Sequence, residues 1–323
     1  MVNRKNAKNK RKKTEKDDLA KMWEQAQDKV IAILCADINL SLNPPRARME
    51  EPDWFKAMKK PLDHLANLSS RYEVPVLCAG NVFNHWFAEP ALLSFAIEYL
   101  PTMYAIPGKH DLPLHNIELI EKSGFWTLVL ADKIIPVLSR EPMAIENDII
   151  LHGFPYGSEI VPLNQEDKVK NKYHVALSTN DVFSIDIESQ YKENIKGYHS
   201  VVFGSDSKGF ETKINDIPVI NCGMLIRRRS TESEYTPQIN LLCRSGNVLT
   251  HRVSTKNERL KTEEEDMEGV SRKSTHDMMD VINGLKENQI RCLDFIVAVE
   301  FLMSKYSVNK DVRKMFLDAL GRS

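Results

Sequence analysis

The chain predicts an α/β sandwich followed by a small helical appendage. Three observations carry this. Continuous apolar runs, the mark of strands buried on both faces, alternate with helix-period segments through the first half. Strand-like runs then crowd the following stretch, broken by Gly-containing or polar segments. Last, a polar and charged stretch at 254–275 separates this core from a segment with helical periodicity.

The first strand is expected at 30–36, where Val30, Ile31, Ala32, Ile33, Leu34, Cys35 and Ala36 are all apolar. Residues 52–72 space Trp54, Phe55, Met58, Leu62, Leu65 and Leu68 as a helix does, with Pro61 expected to kink or restart it. A strand at 74–79, a helix at 88–100, a strand at 103–106 and a short helix at 117–123 follow. Strand–helix–strand alternation of this kind builds α/β layers. Five further strands are read at 149–152, 174–177, 199–203, 217–220 and 239–244. The appendage shows helical spacing of Met279, Ile282 and Leu285, then of Leu293, Ile296 and Leu302, then of Val312, Met315 and Leu320. Such an apolar face serves either packing within the chain or a partner. The expected organisation is therefore a basic tail and lead-in helix at 1–28, a core domain at 29–253, a charged linker at 254–275 and a helical region at 276–323.

Length and composition suit a soluble globular chain. The 323 residues are enough for one large domain plus an appendage, and 28% charged residues is ordinary. A formal net charge of -1 provides no global field for nucleic acid, so any such preference must be local. Residues 3–16 are one local candidate: dense in Lys and Arg, they read either as a solvated tail or as an arm that contacts DNA. Five cysteines without a CxxC pair point to buried free thiols in a reducing compartment. No apolar stretch approaches the roughly 20 residues of a membrane span, and no apolar segment follows the basic start as in a secretory signal. A cytoplasmic protein with no membrane partner is expected.

Chemistry is expected where strands end, because α/β sheets place their sites in loops beyond the carboxyl ends of strands. Five such ends stand out. They carry Asp37 and Asn39, then Gly80 with Asn81, then Gly108, Lys109, His110 and Asp111, then Asn180, and finally Gly204, Ser205 and Ser207. Three of the five begin at glycine, the residue used where backbone turns sharply beside a ligand.

This succession resembles the calcineurin-like metallophosphoesterases, and among them the SbcD-type DNA-repair nucleases often found in phages. That family carries Asp-x-His, Gly-Asp-x-x-Asn/Asp, Gly-Asn-His-Asp/Glu, a lone His and Gly-His-x-His at successive strand ends. The segment from Asn221 to Arg227 also resembles the family's Asn-x-Gly-Ser-x-x-Arg stretch. The resemblance covers about residues 29–253 and implies a four-layer sandwich of two mixed β-sheets flanked by helices. It also implies two divalent metals, typically manganese, about 3.5–4 Å apart, which orient hydroxide and stabilise an in-line displacement.

The ligand positions depart from the family. By resemblance, Asp37 is the surviving ligand of the first metal, and its partner His is here Asn39. The bridging Asp is Asn81, the Asn of the second metal is Lys109, the lone His is Asn180, and the final His pair is Ser205 and Ser207. His110, the histidine near the leaving group, remains, as does Asp111, which would orient it. Amides and hydroxyls are weak ligands, and one carboxylate cannot neutralise two dications. An ammonium about 4 Å from a metal adds a repulsion of about 4 kcal/mol per unit charge at an effective dielectric near 20.

No bound metal cofactor is therefore expected, and His110 and Asp111 are vestigial catalytic residues. Lys109 would either pair with Asp37 or Asp111 in place of metal charge, or point to solvent. Arg227, Arg228 and Arg229 form a basic cluster readable as a phosphate contact or as a solvated turn. The remaining histidines, among them His64, His85, His152, His174, His199 and His251, show no ligand spacing. The resulting expectation is an inactive metallophosphoesterase-fold protein that binds DNA, or an SbcC-like ATPase through its helical end. The alternative is a weak metal-dependent nuclease using Asp37, His110 and Asp111.

Overall fold

The computed structural model describes residues 29–262 apart from 139–140, 181, 183–186 and 205–206. The tail at 1–28 and the appendage at 276–323 lie outside them. Twelve strands are present among the described residues: β1 Val30–Cys35, β2 Val76–Cys78, β3 Met103–Ala105, β4 Ile134–Pro136, β5 Met143–Ile145, β6 Ile149–Phe154, β7 Tyr173–Ser178, β8 Ser200–Phe203, β9 Phe210–Ile214, β10 Ile217–Asn221, β11 Gln238–Cys243 and β12 Val248–Arg252. The helices are α1 Trp54–Tyr72, α2 Pro90–Tyr99, α3 Gly124–Leu130 and the short α4 Ile187–Tyr191.

The strands form two six-stranded sheets, ordered β12-β11-β1-β2-β3-β4 and β5-β6-β7-β8-β10-β9. Each is mixed. β1 to β4 run parallel, β11 pairs antiparallel with β1, and β12 pairs antiparallel with β11. In the other sheet β6, β7, β8 and β10 run parallel between antiparallel edges.

Three apolar clusters explain the four layers. Met58, Leu62 and Leu65 of α1 pack with Phe95 of α2, Phe125 of α3 and Ile33 and Cys35 of β1, on the outer side of the first sheet. Ile31, Ala32, Leu34 and Leu77 meet Leu151, Val175, Val202 and Ile220 between the sheets. Phe154, Ala176, Val201 and Val219 pack under Ile187, Tyr191, Ile195 and Tyr198 on the outer side of the second sheet. Side chains of a strand alternate between faces. The alternation in β1 slips once, where a register shift between Val30 and Ala32 sends both Ile31 and Ala32 toward the other sheet.

Helix α1 begins at Asp53, whose carboxylate accepts from the Lys56 N–H at 2.9 Å. It ends at Glu73 in the left-handed conformation. Pro61 does not restart the helix: this buried proline lies inside one continuous helix. The segment read as a short helix at 117–123 is a 3-10 helix, Ile117–Lys122. The half-exposed strands β9 and β12 lack a continuous apolar run, whereas β4 and β5 are apolar but only three residues long. Ladder bonds to a neighbour define them.

Cys35, Cys78, Cys222 and Cys243 are buried and in no disulfide, as the sequence implies. Among the described residues no helix is long and apolar enough to cross a membrane. The compact unit runs through Thr262, so the polar stretch read as the start of a linker at 254 is fastened to the core. There Glu258 accepts from Arg227 at 2.9 Å and from Arg48 at 3.4 Å, and the Lys261 N–H donates to the Ala47 carbonyl at 2.9 Å.

Candidate functional site at the carboxyl ends of the strands

The parallel strands deliver the singled-out residues to one place. Asp37 and Asn39 follow β1, Asn81 follows β2, and Lys109, His110 and Asp111 follow β3. Asn180 follows β7 in the second sheet and Ser207 follows β8, whereas Ser205 lies outside the described residues. Asp37, Asn39 and Asn81 all adopt positive φ, between 47° and 53°, a conformation that Asp and Asn tolerate best among non-glycine residues. Pairing of β1 with β2 continues into the loops, where the Asp37 N–H donates to the Gly80 carbonyl and the Asn39 N–H to the Asn81 carbonyl.

Two glycines let the loops meet. A Cβ at Gly80 would lie 2.4 Å from Cγ2 of Thr179, and a Cβ at Gly108 would lie 2.2 Å from Oδ1 of Asn81. Gly80 also has φ 98°, which disfavours any side chain. The close approach of Thr179 to Gly80 brings the β7 end, and with it Asn180, against the β2 end.

Asn81 is the hub. Its Nδ2 donates to Asp37 Oδ1 at 2.7 Å, and its Oδ1 accepts from the His110 backbone N–H at 3.2 Å. Both ends of the amide are engaged, and the end turned to the carboxylate is the nitrogen. Asn39 donates from Nδ2 to the Asp37 carbonyl at 3.3 Å, and its buried Oδ1 has no hydrogen-bond partner among the described residues. The buried hydroxyl of Thr179 is in the same condition.

Asp111 does not take the role of orienting His110. Its fully buried carboxylate accepts from the backbone N–H groups of Val82 at 3.1 Å, Phe83 at 2.8 Å and Gly108 at 2.9 Å. It therefore stitches the β2 loop to the β3 loop. Burial pushes its pKa up to about 6, against the opposing pull of those N–H donors.

Lys109 pairs with neither Asp37 nor Asp111. It is exposed, with its ammonium 5.9 Å from the ring centre of Tyr156. His110 is exposed too. Partial desolvation holds its imidazole below the usual histidine range, and the neighbouring charges of Lys109, His115, Arg228 and His85 act the same way. His115 Nδ1 lies 3.0 Å from the Lys109 carbonyl.

The basic cluster is built into the structure and is not a solvated turn. Arg227 is buried and bonded to Glu258 and to the Ser233 carbonyl. Arg228 donates to the Asn39 carbonyl at 2.7 Å. Burial lowers the pKa of its guanidinium to about 10. Only Arg229 is exposed. Arg228 thus stands beside the strand-end loops, a position that the bare Arg-Arg-Arg run did not reveal. A cavity of about 550 Å³ opens next to Asn180, lined by Tyr156, Ser158, Glu159, Thr179, Gln190 and Asn194, among others. Among the described residues, no group of three or more His, Cys, Asp or Glu side chains converges as a metal site would require.

No family model and no curated protein matches the chain. Several solved structures resemble it. TT1561 of Thermus thermophilus is 14% identical over 70% of this chain and 99% of its own, with a TM-score of 0.42. The calcineurin-like phosphoesterase YfkN from Bacillus subtilis is 10% identical over 75% of this chain and 95% of its own, with a TM-score of 0.38. An archaeal phosphodiesterase is 11% identical over 68% of this chain and 98% of its own, with a TM-score of 0.37.

Proposed function

We propose that this chain is a non-catalytic protein of the calcineurin-like metallophosphoesterase type, which binds a phosphate-bearing ligand without cutting it. The observation that carries the reading is the 2.7 Å hydrogen bond from Asn81 to Asp37. It places an amide N–H₂ on the one carboxylate that would have to face a metal. Two divalent ions do not fit this donor set: Asn39, Asn81, Asn180 and Ser207 carry no charge, Asp111 is held by three backbone donors, and Lys109 adds an ammonium. The reading as a weak nuclease using Asp37, His110 and Asp111 is disfavoured on the same ground, since Asp111 does not touch the His110 ring.

What remains at the strand ends is cationic and aromatic. Lys109, Arg228, His110 and His115 surround the loops, with Tyr156 beside them and Trp86 and Phe87 in the loop after β2. Such a surface suits a phosphodiester backbone with stacked bases. Descent from an SbcD-type nuclease, contact of DNA with residues 3–16, and pairing of the helical end with an SbcC-like ATPase belong to this proposal.

The test joins metal analysis and manganese titration calorimetry with a nuclease assay. Well under one equivalent of manganese, zinc or iron per chain is expected, without hydrolysis of a generic phosphodiester or of linear DNA. Two tightly bound metals per chain would overturn the reading. Its positive counterpart is reversion of Asn39→His, Asn81→Asp, Lys109→Asn, Asn180→His, Ser205→His and Ser207→His together, which should restore manganese-dependent hydrolysis. The six act as a unit, so single reversions give almost nothing. Asn81→Asp alone sets a second carboxylate against Asp37 and should destabilise the fold.

A further inference from the structure

The cavity beside Asn180 adjoins these loops, and its volume of about 550 Å³ falls within the roughly 300–1,000 Å³ of small-molecule sites. Tyr156 and Glu159 reach it from the connection after β6, Thr179 and Asn180 follow β7, and Asn194 follows α4. Tyr156 ties the cavity to the β3 loop: its backbone N–H donates to the Pro107 carbonyl at 3.4 Å, just ahead of Gly108 and Lys109.

Several polar groups of this wall are not used by the fold. Thr179 is 5% exposed, and its hydroxyl has no hydrogen-bond partner among the described residues. Its methyl is the group turned toward Gly80. The Asn180 backbone N–H donates to the Ser178 hydroxyl at 3.1 Å, whereas its side-chain amide bonds to none of the described residues. Asn194 Nδ2 donates to the Ile160 carbonyl at 2.9 Å, which fixes the orientation of the amide and leaves Oδ1 as an unused acceptor. Glu159 is exposed and forms no ion pair among the described residues. A buried polar group without a partner is costly, so a wall that keeps several uncommitted suits an occupant that pairs with them.

The chemistry of that occupant follows from the charges. No Lys or Arg lines the cavity among the described residues, and the charged group there is the Glu159 carboxylate. A phosphate is repelled from the interior and drawn to the rim. There the Lys109 ammonium lies 5.9 Å from the Tyr156 ring centre, and the His115 ring lies 6.0 Å from it. The interior calls for an uncharged group that brings N–H donors to Glu159 and to Asn194 Oδ1. Tyr156 adds an aromatic surface on which a planar ring can stack. A nucleobase carrying an amino group has these features. Guanine presents a ring N–H and an amino group side by side, whereas thymine presents a single N–H between two carbonyls.

We propose that this cavity takes the amino-bearing nucleobase of a nucleotide whose phosphate sits against Lys109 and His115, an assignment that rests on the reading of the strand-end loops as a phosphate-binding surface. The same chemistry is offered by a free nucleotide and by a nucleotide within a strand.

Titration calorimetry on the full chain tests this with dGMP, dTMP, deoxyguanosine and deoxyribose 5-phosphate. dGMP should bind about tenfold or more tighter than dTMP and deoxyribose 5-phosphate, the worth of a hydrogen bond to a charged acceptor. Glu159→Ala should abolish the preference for dGMP over dTMP, while Lys109→Met weakens both nucleotides by a similar factor. Both side chains are exposed, so neither change threatens the fold. A thymidine decamer with one central deoxyguanosine, set against the all-thymidine decamer, separates a base within a strand from a free nucleotide. A preference for deoxyguanosine in either format, lost in Glu159→Ala, supports the cavity. Equal binding of dGMP, dTMP and deoxyribose 5-phosphate, without preference between the decamers, overturns it and leaves the phosphate surface standing. A preference that survives Glu159→Ala puts the base elsewhere and overturns it too. Deoxyguanosine bound as tightly as dGMP, with dGMP indifferent to Lys109→Met, keeps the base cavity and overturns the phosphate surface. Binding of none of these probes overturns both.

Discussion

At the scale of single residues, Asp111 shows a carboxylate given over to main chain. Three backbone N–H donors from two loops converge on its oxygens. An amide at this position has one acceptor oxygen and turns an N–H₂ toward at least one of those donors. Asp111→Asn should therefore destabilise by roughly 2–3 kcal/mol, the cost of a charge-assisted bond lost inside a protein, read from urea unfolding. Asp111 also has a pH signature opposite to that of His152. Its folded pKa is raised to about 6, so its contribution is fullest below the ordinary 3.8 and is lost as pH rises through about 6. His152 loses its contribution as pH falls from 6.5 toward about 4. The two trends overlap and partly cancel in global stability.

At the scale of elements, the segment after β12 is held by charge. Glu258 bridges Arg227 at 2.9 Å and Arg48 at 3.4 Å, and Arg48 is completely buried with a second partner in Glu51 at 2.7 Å. Arg48 also donates to the Arg227 carbonyl at 3.0 Å, so the 3-10 turn Arg46–Arg48 and the loop after β10 share one ionic knot. Removing one partner of a buried pair leaves a charge without compensation, at a cost of roughly 3–5 kcal/mol. Glu258→Ala should therefore lower the melting temperature by about 6–12 °C in a domain of this size. Glu258→Gln, which keeps an acceptor, should cost less. A melting temperature unchanged in Glu258→Ala would mean that 254–262 contributes nothing to the core.

At the scale of the whole molecule, the two sheets hold their strand ends together through apolar contact and close glycine approaches. A metal is not needed to join the halves, since Thr179 already packs on Gly80, and Gly204 on Ala79 and Ala36. Chelator should accordingly leave the melting temperature unchanged. A metal bound only by the native state at 100 times its Kd would add about 2.7 kcal/mol, so a marked fall on adding chelator would reveal a site at these loops or elsewhere.

Much of this was legible in the amino-acid sequence because it depends on local pattern. The apolar runs at β1, β7, β8 and β11 read as buried strands since each is covered on both faces. Asp37, Asn39, Asn81 and Asn180 could be assigned to strand ends because loops follow strands in order along the chain. The buried thiols and the helical spacing of α1 were equally local matters. What only the tertiary structure decided were choices among partners distant in sequence. Asp111 turned to backbone rather than to His110, Lys109 turned out over Tyr156, and Arg228 reached the carbonyl of Asn39, 189 residues away. The short edge strands β4 and β5 exist because a neighbour supplies a ladder, and three apolar residues are too few to announce a strand. The pairing of His152 with His174 likewise depends on strand register, which no spacing along one chain reports. Periodicity records which face of an element is buried, whereas a hydrogen bond or an ion pair is settled only when folding brings its two ends together.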